Sequence, residues 1–344
     1  MALKADLCSV MDAKMRPGKG LGFVHPGSRI FNNLSLRNNA STSLPCLSLK
    51  NQKQHSNYNR MVLCMSARGA TRLSAAAIPL EAEDTRPLRS DPGPTYTTTV
   101  VSNDTLVGPK GGLGETCHIV LDHGGSFTFV EGQYLGVILP STKKMNYFSV
   151  ASSDHDKTIS LCVRRSQTTP DSISDYLCRS KAGDTISITG PYGGQMVFPN
   201  DPNAKHIMVT TTTGIAPCRS NLEGLFPISK SNAKFTGLAW LIAGAENYNS
   251  LLYNEEFLVI LKDYPGQFRY QRALNNSVAD SIYRSGDEIF TLLDGGAYIY
   301  FAGSMMMMPE IYATCEQIAT ERFVVWADML ARLRENDQWR VEVY

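Results

Sequence analysis

The stretch His206-Ile-Met-Val-Thr-Thr-Thr-Thr-Gly-Ile-Ala-Pro217 decides the fold of the C-terminal half. A short apolar run ends in a turn of small residues, which is how a strand buried on both faces delivers the chain to the edge of a parallel sheet. Downstream, Leu238–Ala243 and Tyr298–Phe301 read as further buried strands. Each is followed by helical periodicity, over Leu251–Asp263 and Met307–Thr320 respectively. Strands alternating with helices predict a parallel sheet covered on both faces, with a ligand crevice at the C-terminal ends of its strands. Upstream, from Thr95 to Phe198, the texture is different. Short alternating or β-branched runs at Thr97–Val101, Cys117–Asp122, Leu135–Leu139, Thr158–Arg164 and Thr185–Thr189 are separated by Gly and Pro clusters. That spacing predicts an antiparallel barrel or sandwich.

Length and charge agree with two domains and a tail. The chain has 344 residues, 43% of them hydrophobic and 19% charged, which excludes fibrous and wholly disordered classes. No apolar run approaches the roughly eighteen residues of a membrane span. Residues 1 to 80 carry eleven Lys and Arg against only Asp6 and Asp12, leaving 22 basic and 30 acidic side chains in the remainder, a net of −8. So acidic a body disfavours a nucleic-acid partner. The eight cysteines, at 8, 46, 64, 117, 162, 178, 218 and 315, form no CxxC pair and no His spacing typical of zinc, so neither a disulfide framework nor a metal site is expected. Residues 1–65, rich in Ser, Asn, Arg and Lys, read as an organelle transit peptide, with processing near Cys64-Met65-Ser66. Residues 66–94 read as a linker, 95–200 as the barrel and 201–344 as the α/β domain.

Several segments, in order, resemble one family. They are Val107-Gly-Pro-Lys, Gly114-Glu-Thr-Cys-His-Ile-Val120, Glu131-Gly-Gln133, Phe148-Ser-Val-Ala-Ser-Ser153, Ser160-Leu-Cys-Val-Arg-Arg165, Ile188-Thr-Gly-Pro191, Thr213-Gly-Ile-Ala-Pro217, Gly237-Leu-Ala-Trp240, Ser250-Leu-Leu-Tyr253 and Gln338-Trp-Arg-Val-Glu-Val-Tyr344. Colinear from Thr95 to the end, they resemble the plant-type ferredoxin-NADP reductases, and among those the root, non-photosynthetic plastid isoform. The resemblance implies a ferredoxin reductase-like fold, an antiparallel FAD-binding β barrel joined to an NADP(H)-binding α/β domain. It implies FAD and NADP(H) as cofactors, ferredoxin as partner, and electron flow from NADPH to ferredoxin. It also tips the transit peptide, which composition leaves open between plastid and mitochondrion, toward the plastid.

Residue by residue, the resemblance implies the following roles. Asn146-Tyr147-Phe148-Ser149 stands at the family's Arg-x-Tyr-Ser, where Arg pairs with the flavin pyrophosphate, the aromatic stacks on the flavin and Ser meets flavin N5. Phe148 and Ser149 keep the pattern, whereas Asn146 replaces a bidentate cation with a neutral amide. Cys162, Val163 and Arg164 match the strand beside the FAD adenosine. Ser172, Ile173 and Ser174 match the pyrophosphate turn, with Asp171 and Asp175 placing negative charge there. Thr213 lies in the nicotinamide loop, where Thr212 replaces a glycine, a cost if that position requires a glycine conformation. Asn275 and Asn276 stand at the 2′-phosphate site without its cation. Ala302, before Gly303 and Ser304, occupies the place of a redox-assisting cysteine. Glu342 matches the proton-relay glutamate, and Tyr344 the aromatic that covers the flavin. Lys143, Lys144, Arg164 and Arg165 form a candidate basic patch for an acidic partner.

Those departures motivate a rival reading, a degenerate, non-catalytic relative whose folded body binds partners. A third reading is a flavin enzyme that prefers NADH.

Overall fold

The computed structural model describes residues 93–344 apart from 113, 155–156, 167–170, 228–233 and 276–277. The transit peptide, all of the linker except Gly93 and Pro94, and Asn276 thus lie outside the described residues. The described residues belong to one compact unit.

The first half is built from β1 (Thr95–Val107), β2 (Thr116–Asp122), β3 (Tyr134–Ile138), β4 (Met145–Ser149), β5 (Thr158–Arg164), helix α1 (Ile173–Arg179) and β6 (Thr185–Tyr192). The six strands form one antiparallel sheet in the order β4-β3-β6-β1-β2-β5. A bridge between Val150 and Leu161 joins the two edges, so the sheet curls on itself as a barrel. Alternation drives this. Ile119, Leu121, Leu135, Val137, Ile159, Leu161, Ile186 and Ile188 all turn inward, fully buried, with Phe127 and Phe129 plugging the interior. The fourth strand is not among the runs picked out by alternation, because Met-Asn-Tyr-Phe-Ser is half-buried without a clean period.

The second half contains β7 (Lys205–Thr211), α2 (Ile215–Leu225), β8 (Leu238–Ala245), α3 (Asn254–Asp263), β9 (Phe268–Leu274), α4 (Val278–Arg284), α5 (Gly286–Asp294), β10 (Tyr298–Gly303), α6 (Met308–Glu321), α7 (Trp326–Glu335) and β11 (Trp339–Val343). Five parallel strands run in the order β11-β10-β7-β8-β9. Ile207 and Val209 of β7 pack with α4 to α7 on one face, and Met208 packs with α2 and α3 on the other. Both faces are therefore covered, as the apolar run predicts. No described helix is long and apolar enough to cross a membrane.

Side chains lock the two sheets together. Asn221 on α2 donates to Met196 O at 2.9 Å, and Arg340 on β11 donates to Gly194 O at 3.2 Å and Val197 O at 2.9 Å. Arg219, also on α2, reaches the barrel by donating to Ala151 O at 2.6 Å. It is ion-paired with Glu223 and Glu256, each at 2.7 Å, and lies 4.7 Å from the Tyr253 ring centroid. Tyr253 in turn meets His118 Nδ1 of β2 at 3.0 Å.

Candidate functional site

A cavity of about 620 Å³ opens where the barrel meets the C-terminal edge of the parallel sheet. Its wall comes from β4 (Asn146, Tyr147, Phe148, Ser149), β5 (Cys162, Val163, Arg164), Arg165, Ser166 and Ser174, then Thr212, Thr213 and Tyr344 from the α/β side. The sequence thus scatters the site over two hundred residues, and the junction of the sheets collects it.

Two close backbone approaches set its α/β side. A Cβ on Gly214 would lie 2.3 Å from Ala302 O, and one on Gly303, whose φ is +128°, would lie 2.4 Å from Thr211 O. Only glycine permits β7 and β10 to end so close together. Ser304 N donates to Thr211 Oγ1 at 3.1 Å, tying the two turns. The last residue is fixed by its own backbone, with Tyr344 N donating to Gly303 O at 3.0 Å and Met305 N donating to Tyr344 O at 3.1 Å. Its hydroxyl lies 2.5 Å from Thr213 Oγ1.

Beside Tyr344, Ser149 Oγ donates to Glu342 Oε1 at 2.9 Å. Both residues are buried, Ser149 at 6% and Glu342 at 3% exposure, so a hydroxyl and a carboxyl from different sheets face each other where water is scarce. Thr212 has φ of +50° in the turn after β7, the left-handed region that a β-branched residue enters only under strain. The glycine-demanding conformation anticipated at 212 is present.

Several residues behave differently from expectation. Asp175 does not oppose an anion. It is buried and paired with Arg165 at 3.3 Å and with Arg179. Asp171 is exposed and pairs with Arg179 at 3.0 Å. Arg165 leaves the candidate basic patch, since it is partly buried and ion-paired with Glu115 at 3.0 Å, while Lys143 and Lys144 are exposed. Arg164, exposed in the cavity wall, has no carboxylate partner among the described residues. Asn146 is exposed, with its side-chain oxygen accepting from Tyr147 N at 3.0 Å. Tyr147 turns its ring between Tyr134 and Tyr192, at 5.3 and 5.5 Å.

Ala302, Ser172, Ile173 and Asn275, also predicted, do not line the cavity. Ala302 is buried in the sheet core opposite Glu342. Ser172 caps α1 by accepting from Asp175 N, and Ile173 is buried in the barrel core. Asn275 has φ of +62° and donates its N–H to Glu246 O at 3.1 Å. Cys162, which does line the wall, has its thiol pushed up to about 12 by burial. Arg165, Ser166 and Thr212 complete the wall without having been assigned to a cofactor; Arg165 had been placed in the basic patch, and Thr212 carried a signal in its departure from glycine. A second, much smaller crease lies between the ends of β7 and β8, lined by Thr210, Thr211, Thr212, Ile215, Ala243, Gly244 and Ser250 to Leu252.

Residues 208–312 match the family model described as the oxidoreductase NAD-binding domain. The chain is 41% identical to the "Ferredoxin--NADP reductase, root isozyme, chloroplastic" of Oryza sativa subsp. japonica, over 95% of this chain and 96% of that protein. It is 43% identical to root isozyme 1 of Arabidopsis thaliana, over 83% and 85%. Among solved structures, the ferredoxin-NADP+ reductase from Plasmodium falciparum is similar with a TM-score of 0.61 and 26% identity, over 73% of this chain and 96% of that one.

Proposed function

The chain belongs to the ferredoxin-NADP reductase family, and from that premise we propose that it transfers electrons from NADPH to ferredoxin in plastids through FAD held in the cavity described above. The observation that carries this reading is the buried Ser149–Glu342 hydrogen bond beside Tyr344. It sets a hydroxyl and a proton-exchanging carboxyl at the junction of the two sheets, where hydride transfer needs both.

The residues present fit a flavin dinucleotide. The wall combines aromatic and apolar surface from Phe148, Val163 and Tyr344 with the cation of Arg164. The negative charge of Asp175 is absorbed by Arg165 and Arg179. When bound, FAD supplies the exchange between two-electron hydride chemistry with nicotinamide and one-electron chemistry with ferredoxin. Phe148 and Tyr344 offer aromatic faces to the ring, Ser149 a hydroxyl to its edge, and Arg164 and Ser174 polar contacts to the phosphates. Glu342 accepts or returns a proton at Oε1 through Ser149 Oγ. The Thr213 hydroxyl positions Tyr344, and a nicotinamide would reach the surface that Tyr344 covers only if that contact gave way. NADP(H) phosphates belong at the crease between β7 and β8, which the first residue of α2, Ile215, helps to line. In this division residues 95–200 hold FAD, residues 201–344 hold NADP(H), and residues 1–65 carry the chain into the plastid.

The test is a visible absorption spectrum of the chain purified with added FAD and desalted, followed by NADPH-dependent ferredoxin reduction. A structured flavin band with turnover is expected. A folded, colourless protein would return the chain to the reading of a non-catalytic binding protein.

A further inference from the structure

Two cysteines unused by this chemistry meet beside the cavity. β2 and β5 pair with Cys117 opposite Val163, helix α1 packs on both strands, and the Cys178 thiol, near the end of that helix, donates to Val163 O at 3.7 Å. Cys117, as the cross-strand partner of Val163, and the Cys178 thiol, at the Val163 carbonyl, thus converge on one residue, close enough for each thiol to bias the titration of the other. Arg165 completes the group. Its terminal nitrogens pair with Glu115 at 3.0 Å and Asp175 at 3.3 Å, its charge bears on the Cys178 sulfur, and its Nε–H is buried without a hydrogen-bond partner of ordinary geometry.

The two sulfurs differ in character. The neighbouring Cys117 thiol, and then the Arg165 charge, hold the Cys178 thiol below the usual range, against burial and the Glu115 carboxylate. Cys117 is driven the other way, first by the neighbouring Cys178 thiol and then by burial. A more readily ionised thiol beside a less readily ionised one is the arrangement of an attacking and a resolving cysteine. Cys178 also has the greatest exposure of the described cysteines, 8% against 5% for Cys162, 2% for Cys315, 1% for Cys117 and none for Cys218.

We propose that Cys178 and Cys117 are a two-thiol oxidation site that hydrogen peroxide converts to an intramolecular disulfide tying α1 to β2. Cys178 Sγ attacks one peroxide oxygen, the O–O bond breaks, and water leaves, giving a sulfenic acid. Cys117 Sγ then attacks that sulfur and displaces a second water. Two thiols and one peroxide give one disulfide and two waters, the two electrons coming from the sulfurs. A dithiol reductant reverses the step by exchange. Ser174, which lines the cavity, stands one helical turn before Cys178 on the same face of α1, so the crosslink bears directly on the cavity wall.

The experiment is peroxide titration of the full chain, blocking with iodoacetamide, digestion and mass spectrometry, read without reference to flavin or turnover. The expected result is loss of two free thiols, a linked peptide pair containing Cys117 and Cys178, and recovery of both thiols with dithiothreitol. In Cys117→Ser, the sulfenic acid should persist and be trapped by dimedone at residue 178. Carbamidomethylation of reduced Cys178 should run roughly tenfold or more ahead of Cys218. A wild-type chain that keeps both thiols under peroxide, or links other cysteines in preference, overturns the proposal, whatever the stability of the variants.

Discussion

Replacing Thr212 with glycine should stabilise the protein, although the change deletes a side chain from the cavity wall. At φ of +50° an L-residue in the left-handed region is penalised by about 1–2 kcal/mol, and a β-branched one falls toward the upper end. Glycine removes that penalty but adds freedom to the unfolded chain, about 0.5–1 kcal/mol. Thr212 is exposed, so little burial is lost. The balance is a gain of about 1 kcal/mol, which for a body of this size raises Tm by about 2–4 °C. Thr212→Ala keeps the Cβ while shedding the branch, so it should fall between wild type and Thr212→Gly. The assay is a thermal melt backed by a denaturant titration with unchanged slope. A glycine variant no more stable than the alanine one would refute the argument, because the effect would then not come from φ.

Other consequences are testable in the same preparations. Glu342→Gln, which keeps the shape but not the proton exchange, should lower kcat roughly 100-fold with KM nearly unchanged; a change confined to KM would remove Glu342 from the proton path. Asn146→Arg should tighten flavin retention about 10- to 100-fold by adding one charge-assisted contact. Adding Asp171→Gly should contribute little, because Asp171 is already paired with Arg179; equal flavin loss on dilution in Asn146→Arg and wild type would misplace Asn146. Burial lowers His206 to about 3, so the unfolded chain, titrating near 6.5, binds the extra proton. Stability should therefore be intact above pH 6.5 and decline as pH falls toward 3, by about 2 kcal/mol at pH 5. His206→Phe should flatten that segment of the stability profile; an unchanged slope would assign it to other groups.

Much of the fold could be read from periodicity because the physics is local. The apolar run through β7 and the small-residue turn after it required nothing distant, and the structure ends that strand at the site as expected. The strand β4 was harder, since its five residues are held by their neighbours and not by their own pattern. The site divides in the same way. Thr212 was legible because a backbone conformation belongs to one residue. Asp175 was not, because its charge is cancelled by Arg165 and Arg179, and only folding shows which cation reaches which carboxylate. The same pairing withdrew Arg165 from the surface patch where its neighbours in sequence had placed it.

The grip on residues 194–197 has a practical side. Asn221 and Arg340 both reach into that connection and satisfy its carbonyls, so the stretch between the two sheets is held as firmly as a strand and cannot serve as a hinge. Cutting or permuting the chain near residue 200 would not release two independent modules. It would leave a buried guanidinium and amide facing water on one fragment and a loose loop on the other. Access to the cleft must then come from side chains and turns at its mouth, and fragments cut at this boundary will need to be recombined before either can be judged.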